Sequence, residues 1–377
     1  MFQRRDRVRP RVVIAGMGDT GILVAIHLRR RFQVTGIATR PALLSGQELG
    51  NRLADPTHWR RNFLIPFPSF KRLDDVTVLH GRIAAVDEAG CAVTVERADG
   101  TETTEPYDVL VIASGATNGF WRHDRVEDLT QVERSLADVT TQIDAAATIA
   151  VVGGGATGVS AAMNLARRHP HKAVHLFVSG DQPLPGYHPR VRTRMANDLA
   201  AAGVHVHPGH RAAVPDGFLG DRLTTTPSEW STGQGPFSAD VVLWALGRVR
   251  PNNGFIPPEM LDEHGFVRVD EHLRVPGHPN VYAVGDVAAS DPHRSSARNW
   301  GYLVVARNIR AQFGHGKPRR YKAPPTRWGS IAGLQDDGLT VFQPNGKAFT
   351  VPKWAVQPLL FRLYLHQILY GGLRRRG

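Results

Sequence analysis

Two glycine triplets stand at the same spacing in this chain. Gly16, Gly18 and Gly21 lie in RVVIAGMGDTGILVAIHL (11–28), and Gly153, Gly155 and Gly158 lie in IAVVGGGATGVSAAMNLA (149–166). Each follows a short apolar run and precedes helical periodicity, so each reads as strand, tight turn and helix. The chemistry such a turn performs is phosphate binding. The first glycine makes the turn and the second lets backbone approach a pyrophosphate. The third packs helix on strand, and the helix N-terminus adds partial positive charge. Two units in one chain imply two dinucleotides.

Each glycine loop is followed by a second strand, QVTGIAT (33–39) and AVHLFV (173–178). An acid is expected near the end of such a strand, to receive ribose hydroxyls. Neither strand supplies one: Thr39 and Arg40 stand at the first place, Val178 and Ser179 at the second. The missing second acid, with Arg190, Arg192 and Arg194 shortly after it, leaves NADPH open beside NADH.

Three further stretches position this chemistry. YDVLVIASGAT (107–117) is a buried strand ending in small residues. ADVVLWALGRVRPN (239–252) repeats that design after the second glycine loop. HPNVYAVGDVAA (278–289) is an apolar strand running into Gly285 and Asp286. Together with the two loops these motifs resemble the FAD- and NAD(P)-dependent pyridine nucleotide oxidoreductase superfamily, over roughly residues 10 to 312. The resemblance implies an α/β fold of two Rossmann-like three-layer (ββα) domains, the NAD(P) domain inserted in the FAD domain. On that pattern residues 1–118 and 248–312 form the FAD domain, 119–247 the NAD(P) domain and 313–377 a C-terminal element.

The same resemblance assigns cofactor contacts. FAD would lie on Gly16, Gly18, Thr20 and Gly21, with Thr39, Arg40, Ile83, Ser114 and Gly115 around it and with Gly285 and Asp286 at the ribityl chain. NAD(P)H would lie on Gly153, Gly155, Ala156, Thr157 and Gly158, with Ser179 and Gly247 beside it. Hydride would pass from nicotinamide to flavin, the cofactors carrying the chemistry and the protein the positioning.

The electron acceptor is set by other residues. The disulfide reductases of this superfamily use a cysteine pair, and this chain has only Cys91, expected as a small buried hydrophobe in a hairpin. The C-terminal pattern is similar to the tails of type II NADH:quinone oxidoreductases and apoptosis-inducing-factor-like quinone reductases, which points to a quinone. A ferredoxin- or rubredoxin-type protein acceptor and a non-catalytic redox-nucleotide sensor are the other readings. Where those quinone reductases usually carry glutamate past the third glycine, this chain has Ser160. Where they usually carry glutamine before a glycine, it has Trp300 before Gly301, a flat platform for a quinone ring or a plug over the flavin. His293 in SDPHRSS is positioned to exchange a proton.

Physically the tail reads as a hairpin turning at Asn345–Gly346, then an amphipathic helix from Ala355 to Tyr370 with Arg362 and His366 on its polar side. This helix, with Arg374 to Arg376, would lie on an anionic membrane surface, pack on the protein's own body or join a second copy in a homodimer. Between Arg40 and Lys71 the chain reads as irregular, wrapping the flavin or shaping the acceptor's entrance.

Composition excludes other classes. Charged residues are 21% and hydrophobic residues 42% of the 377, ordinary for a globular protein. The net charge of +12 gathers in runs such as Arg4–Arg11 and Lys317–Lys322, but no nucleic-acid-binding motif accompanies them. No run of about 18 apolar residues spans a bilayer, and no secretory signal is visible. The 17 histidines are scattered; His205 and His207 alternate along a half-exposed strand rather than forming a metal site. A reducing cytoplasm fits the single cysteine, with peripheral attachment to the inner face of the cell membrane implied by the resemblance.

Overall fold

Apolar runs with turn residues at their ends dictate the first sheet. In the computed structural model, which describes residues 9–46, 49–117, 124–213, 223–224, 228–231, 233–246 and 250–374, β1 (Arg11–Ala15) enters the core and turns through the first glycine loop into α1 (Asp19–Leu28). β2 (Gln33–Ala38) returns parallel to β1. The segment expected to be irregular is instead built from short elements: β3 (Ala42–Leu44), α2 (Leu49–Ala54), α3 (Pro56–Phe63) and β4 (Leu64–Pro66). Asp55 caps α3 by accepting from the His58 N–H at 3.0 Å, with Pro56 at the first helical position.

Next come β5 (Val76–Asp87), β6 (Ala92–Arg97) and β7 (Glu102–Pro106), an antiparallel ladder. Cys91 sits in the turn between β5 and β6 at φ +48°, half-buried, not in the core where alternation had placed it. β8 (Val109–Ile112), fully buried, pairs parallel to β1 on the side opposite β2, and the chain leaves this body through β9 (Ala116–Thr117).

The second body begins with α4 (Leu129–Ala145), whose Asp128 and Gln131 form a reciprocal capping box. β10 (Thr148–Val152), α5 (Ala156–Arg168), β11 (Ala173–Phe177), α6 (Pro189–Ala201) and β12 (His205–His207) follow. A hairpin, β13 (Ser228–Ser231) with β14 (Pro236–Ala239), leads into β15 (Val241–Trp244). The parallel sheet has the order β12-β11-β10-β15. The chain then returns through β16 (Arg250–Pro251), which pairs antiparallel with β9, to β17 (Val281–Ala283) beside β8. The first sheet thus reads β17-β8-β1-β2-β5-β6-β7, with α7 (Gly301–Gln312) packed on α1.

The C-terminal residues strap the two bodies together. β18 (Leu339–Phe342) and β19 (Ala348–Val351) form the expected hairpin, and Ile331 and Phe342 enter the core of the second body. The following helix, Val356–Leu369, is wound with i→i+5 hydrogen bonding. Its buried residues Val356, Phe361 and Leu365, and Tyr370 beyond it, recur every four to five positions and enter the core of the first body. The single wide apolar face expected from sequence is therefore split. Leu359, Leu363, Tyr364 and Ile368 point outward, and His366, expected beside Arg362 on the polar side, is half-buried while Arg362 is exposed.

Candidate functional site

The two glycine turns have the same construction. Gly16 adopts φ +108° and Gly153 φ +128°, a region closed to most side chains. A Cβ on Gly21 would collide with the Gly16 carbonyl oxygen, and one on Gly158 with the Gly153 carbonyl oxygen, so helix and strand approach as closely as backbone allows. The middle glycines differ in kind: a Cβ on Gly18 or Gly155 would meet nothing within 4 Å. Each N-caps its helix, α1 or α5, in extended conformation. Both cradles therefore open toward space where a phosphate can take the unpaired N–H groups of a helix start.

The first cradle opens into a cavity of about 350 Å³. Gly16, Gly18 and Thr20 line it from the turn, Thr39 and Arg40 from the end of β2, and Ile83 from β5. Ser114 and Gly115 line it beyond β8, and Gly285 and Asp286 beyond β17. Gly21 lies beneath the turn. Gly285 is held by its N–H donating to Ser296 Oγ at 2.9 Å, and its open side faces Thr20 Oγ1. The site thus gathers residues 16 to 286 at one edge of one sheet.

The segment from 40 to 71 closes part of this cavity through Ala42, Ser45, Gly46 and Arg52. Asp19, at the start of α1, accepts from Ser45 Oγ at 2.7 Å and from the Gly46 N–H at 2.9 Å, drawing that loop onto the cradle.

Asn252 is a residue that sequence reasoning passed over. Its N–H donates to the Gly115 carbonyl at 3.1 Å, its Nδ2 donates to the Ser114 carbonyl at 2.9 Å, and its Oδ1 accepts from Thr117 Oγ1 at 2.7 Å. The outgoing and returning strands are stapled there. Its only sequence signal is the polar residue ending RVRPN.

At the second cradle Ala156 and Thr157 open α5, half-buried, and Ser179 is exposed past β11; Gly247 lies outside the described residues. Val178, in the place of the absent acid, is buried. Ser160 has a structural reason for its size. A Cβ on Gly50 of α2 would strike its hydroxyl and carbonyl, so α2 and α5 pack too closely for a glutamate. Asn164 reinforces this contact, donating to the Ser160 and Ala332 carbonyls, both at 2.8 Å.

The two residues expected to act on the acceptor are not in the cavity lining. His293 is half-buried, with Nε2 3.3 Å from the Pro325 carbonyl oxygen. Trp300, at φ +53° just before α7, is half-exposed and tilted against Trp328 at 5.9 Å between ring centroids. Ala297, between them in sequence, does line the cavity.

His205 and His207 belong to an unexpected stack. His175 lies 4.9 Å from His205 between centroids, His207 stacks on Phe177 at 4.4 Å, and His175 Nδ1 is 3.0 Å from His207 Nε2. Burial first, and then the neighbouring His205 and His207, pull His175 down to about 4. Among the described residues no group of three or more His, Cys, Asp or Glu is arranged to hold a metal ion.

Twin open cradles, one at a cavity that gathers residues from both ends of a split sheet, are the geometry of a two-nucleotide redox protein. The family model for pyridine nucleotide-disulphide oxidoreductases matches residues 10–308. This chain belongs to that family. FAD and NAD(P)H come with it as cofactors, and the chain is an NAD(P)H-dependent flavoprotein oxidoreductase. It is 30% identical over 263 residues to the oxidoreductase ptaL of Pestalotiopsis fici, covering 68% of this chain and 67% of that one. It is 27% identical over 347 residues to the type II NADH:quinone oxidoreductase Ndh of Mycobacterium tuberculosis, covering 82% and 74%. The sulfide:quinone oxidoreductase of Aquifex aeolicus shares the fold at a TM-score of 0.69 and 16% identity, covering 96% and 92%. With one cysteine in the chain, an internal dithiol relay is outside the chemistry of this family member.

Proposed function

We propose that this protein oxidises NAD(P)H and passes the electrons to a quinone at a membrane surface, in the overall reaction NAD(P)H + H⁺ + quinone → NAD(P)⁺ + quinol. Bound FAD supplies hydride acceptance from the nicotinamide and delivery of electrons to the second substrate. On this reading the first sheet carries the FAD domain and the second, inserted sheet the NAD(P) domain. The first cradle and Asp286 hold FAD, while the second cradle aligns the nicotinamide across the close contact of α2 with α5.

The observation that carries the quinone reading is the outward strip of the C-terminal helix. Leu359, Leu363, Tyr364 and Ile368 there, and Trp354 just before the helix, are 45–77% exposed, an arrangement suited to entering the headgroup layer of a bilayer. Among the described residues no helix is long and apolar enough to cross a membrane, so attachment would be peripheral. Arg375 and Arg376, the remainder of the expected basic tail, lie outside the described residues. The name of the relative from M. tuberculosis points the same way. The half-exposed Trp300 offers a ring face to the acceptor, and His293 is the proposed proton carrier.

Steady-state assays with menaquinone analogues, and separately with an acidic iron–sulfur protein, at two salt concentrations test this. Turnover with quinone that is insensitive to salt is expected, and Trp300→Leu should raise the quinone KM while sparing flavin reduction by NAD(P)H. Turnover confined to the protein acceptor and lost at high salt would replace the quinone with a ferredoxin-type partner. A protein that binds both nucleotides yet transfers no electrons would be a sensor.

A further inference from the structure

The strand that follows the first glycine loop ends without an acid, and the fold brings one from elsewhere. The Glu127 N–H donates to the Thr39 carbonyl at 2.9 Å, which sets Glu127 beside the residue where the ribose-binding acid is otherwise expected. Its Oε2 accepts from Arg40 Nε at 2.8 Å, with both side chains about 15% exposed. The Glu127 carbonyl lies 3.1 Å from His80 Nε2 on β5. The backbone of Glu127 is therefore held from β5 and from the residue just past β2, and its carboxylate by Arg40, though 87 residues separate the two. Glu127, Thr39, Arg40 and Arg52 line the same cavity.

Arg52 adds a second cation to this corner. Its guanidinium lies over the buried Trp59 ring at 5.3 Å. Burial first and the nearby Arg40 next draw it down to about 10, with Glu127 acting in the opposite sense. A carboxylate has about four lone-pair sites, so it can accept from several donors at once, and the bond from Arg40 orients it. What the corner offers is a pre-oriented anionic acceptor at the mouth of a parallel strand pair, which is the requirement of a vicinal diol.

We propose that Glu127, locked by Arg40, is the carboxylate that receives the adenosine ribose hydroxyls of FAD in the first cradle, in place of the absent acid at the end of β2. The inference rests on the flavoprotein reading and deepens it.

The test pairs a side-chain change with a ligand change. Apoprotein is titrated with FAD and with an FAD analogue whose adenosine carries no 2′ or 3′ hydroxyl, and binding is followed by flavin fluorescence. Wild type should prefer FAD by roughly 10- to 100-fold, the range for hydrogen bonds to a charged acceptor. In Glu127→Gln and Glu127→Ala that preference should fall below about threefold, while affinity for the analogue stays near wild type. A variant that merely loosened the fold would weaken both ligands alike and overturn the assignment. So would variants that keep the wild-type preference. If wild type itself binds neither ligand, the flavoprotein reading fails first; binding of FAD by wild type and variants with equal preference sinks the Glu127 role alone.

Discussion

Gly18 and Gly21 are three residues apart in one turn, yet they do different work, and substitution should separate them. Alanine is ordinarily favoured over glycine in a helix by about 1 kcal/mol, but at Gly21 the new methyl would enter the Gly16 carbonyl. Steric cost should win, and Gly21→Ala should lower the melting temperature of the apoprotein by the equivalent of about 1–3 kcal/mol. At Gly18 the methyl enters open space and φ is an ordinary −77°. On the proposed reading, in which that space takes the pyrophosphate of FAD, Gly18→Ala should therefore melt like wild type and yet hold less FAD. Calorimetry of the apoproteins with flavin content after reconstitution checks both. The histidine stack makes a second prediction at this scale. His175 has a folded value of about 4 against the ordinary histidine value of 6.5. The unfolded chain therefore binds more protons between those values, and stability must fall as pH drops from about 6.5 toward about 4. His175→Asn should flatten that acid limb of a pH series of urea melts; an unchanged slope would mean the stack is not its source.

At the scale of elements, the C-terminal helix divides its apolar residues between two tasks. Phe361 packs edge-on against Phe63 at 5.5 Å and near His58 at 6.1 Å. Phe361→Ala should destabilise the protein by about 3–5 kcal/mol. Leu363→Ala and Ile368→Glu, on the outward side, should leave the melt unchanged but weaken flotation with anionic liposomes. Equal flotation by the outward variants would count against membrane attachment. Sequence could not make this division, because a helix apolar on both sides and bonded i→i+5 gives no single 3.6-residue stripe. The segment from 40 to 71 was illegible for another reason. Its helices have only six and eight residues, although Asp55 before Pro56 is a helix-start signal that was there to be read. The glycine cradles were legible, since the first and third glycines of each record backbone geometry that no side chain can share. Asn252, Arg52 and Glu127 were not, because their partners are brought near only by the return of the chain.

Among the described residues the joints between the two bodies include the β9–β16 pair stapled by Asn252, the close packing of Gly50 on Ser160, helix α4, which buries Val132 and Leu136 in the first core and Ile143 in the second, and the C-terminal strap. Each holds one body against the other. Asn252→Ala removes donors and acceptors from both crossing strands and should slow flavin reduction more than it weakens binding of either nucleotide, as stopped-flow traces against binding isotherms will show. Most direct of all is an anaerobic titration of the purified, FAD-loaded protein with NADH and with NADPH, followed by visible absorbance. Stoichiometric bleaching of the flavin band by at least one of the two is the expected result. A protein that binds both nucleotides and leaves the band unchanged would contradict the claim that its paired cradles bring nicotinamide and flavin together.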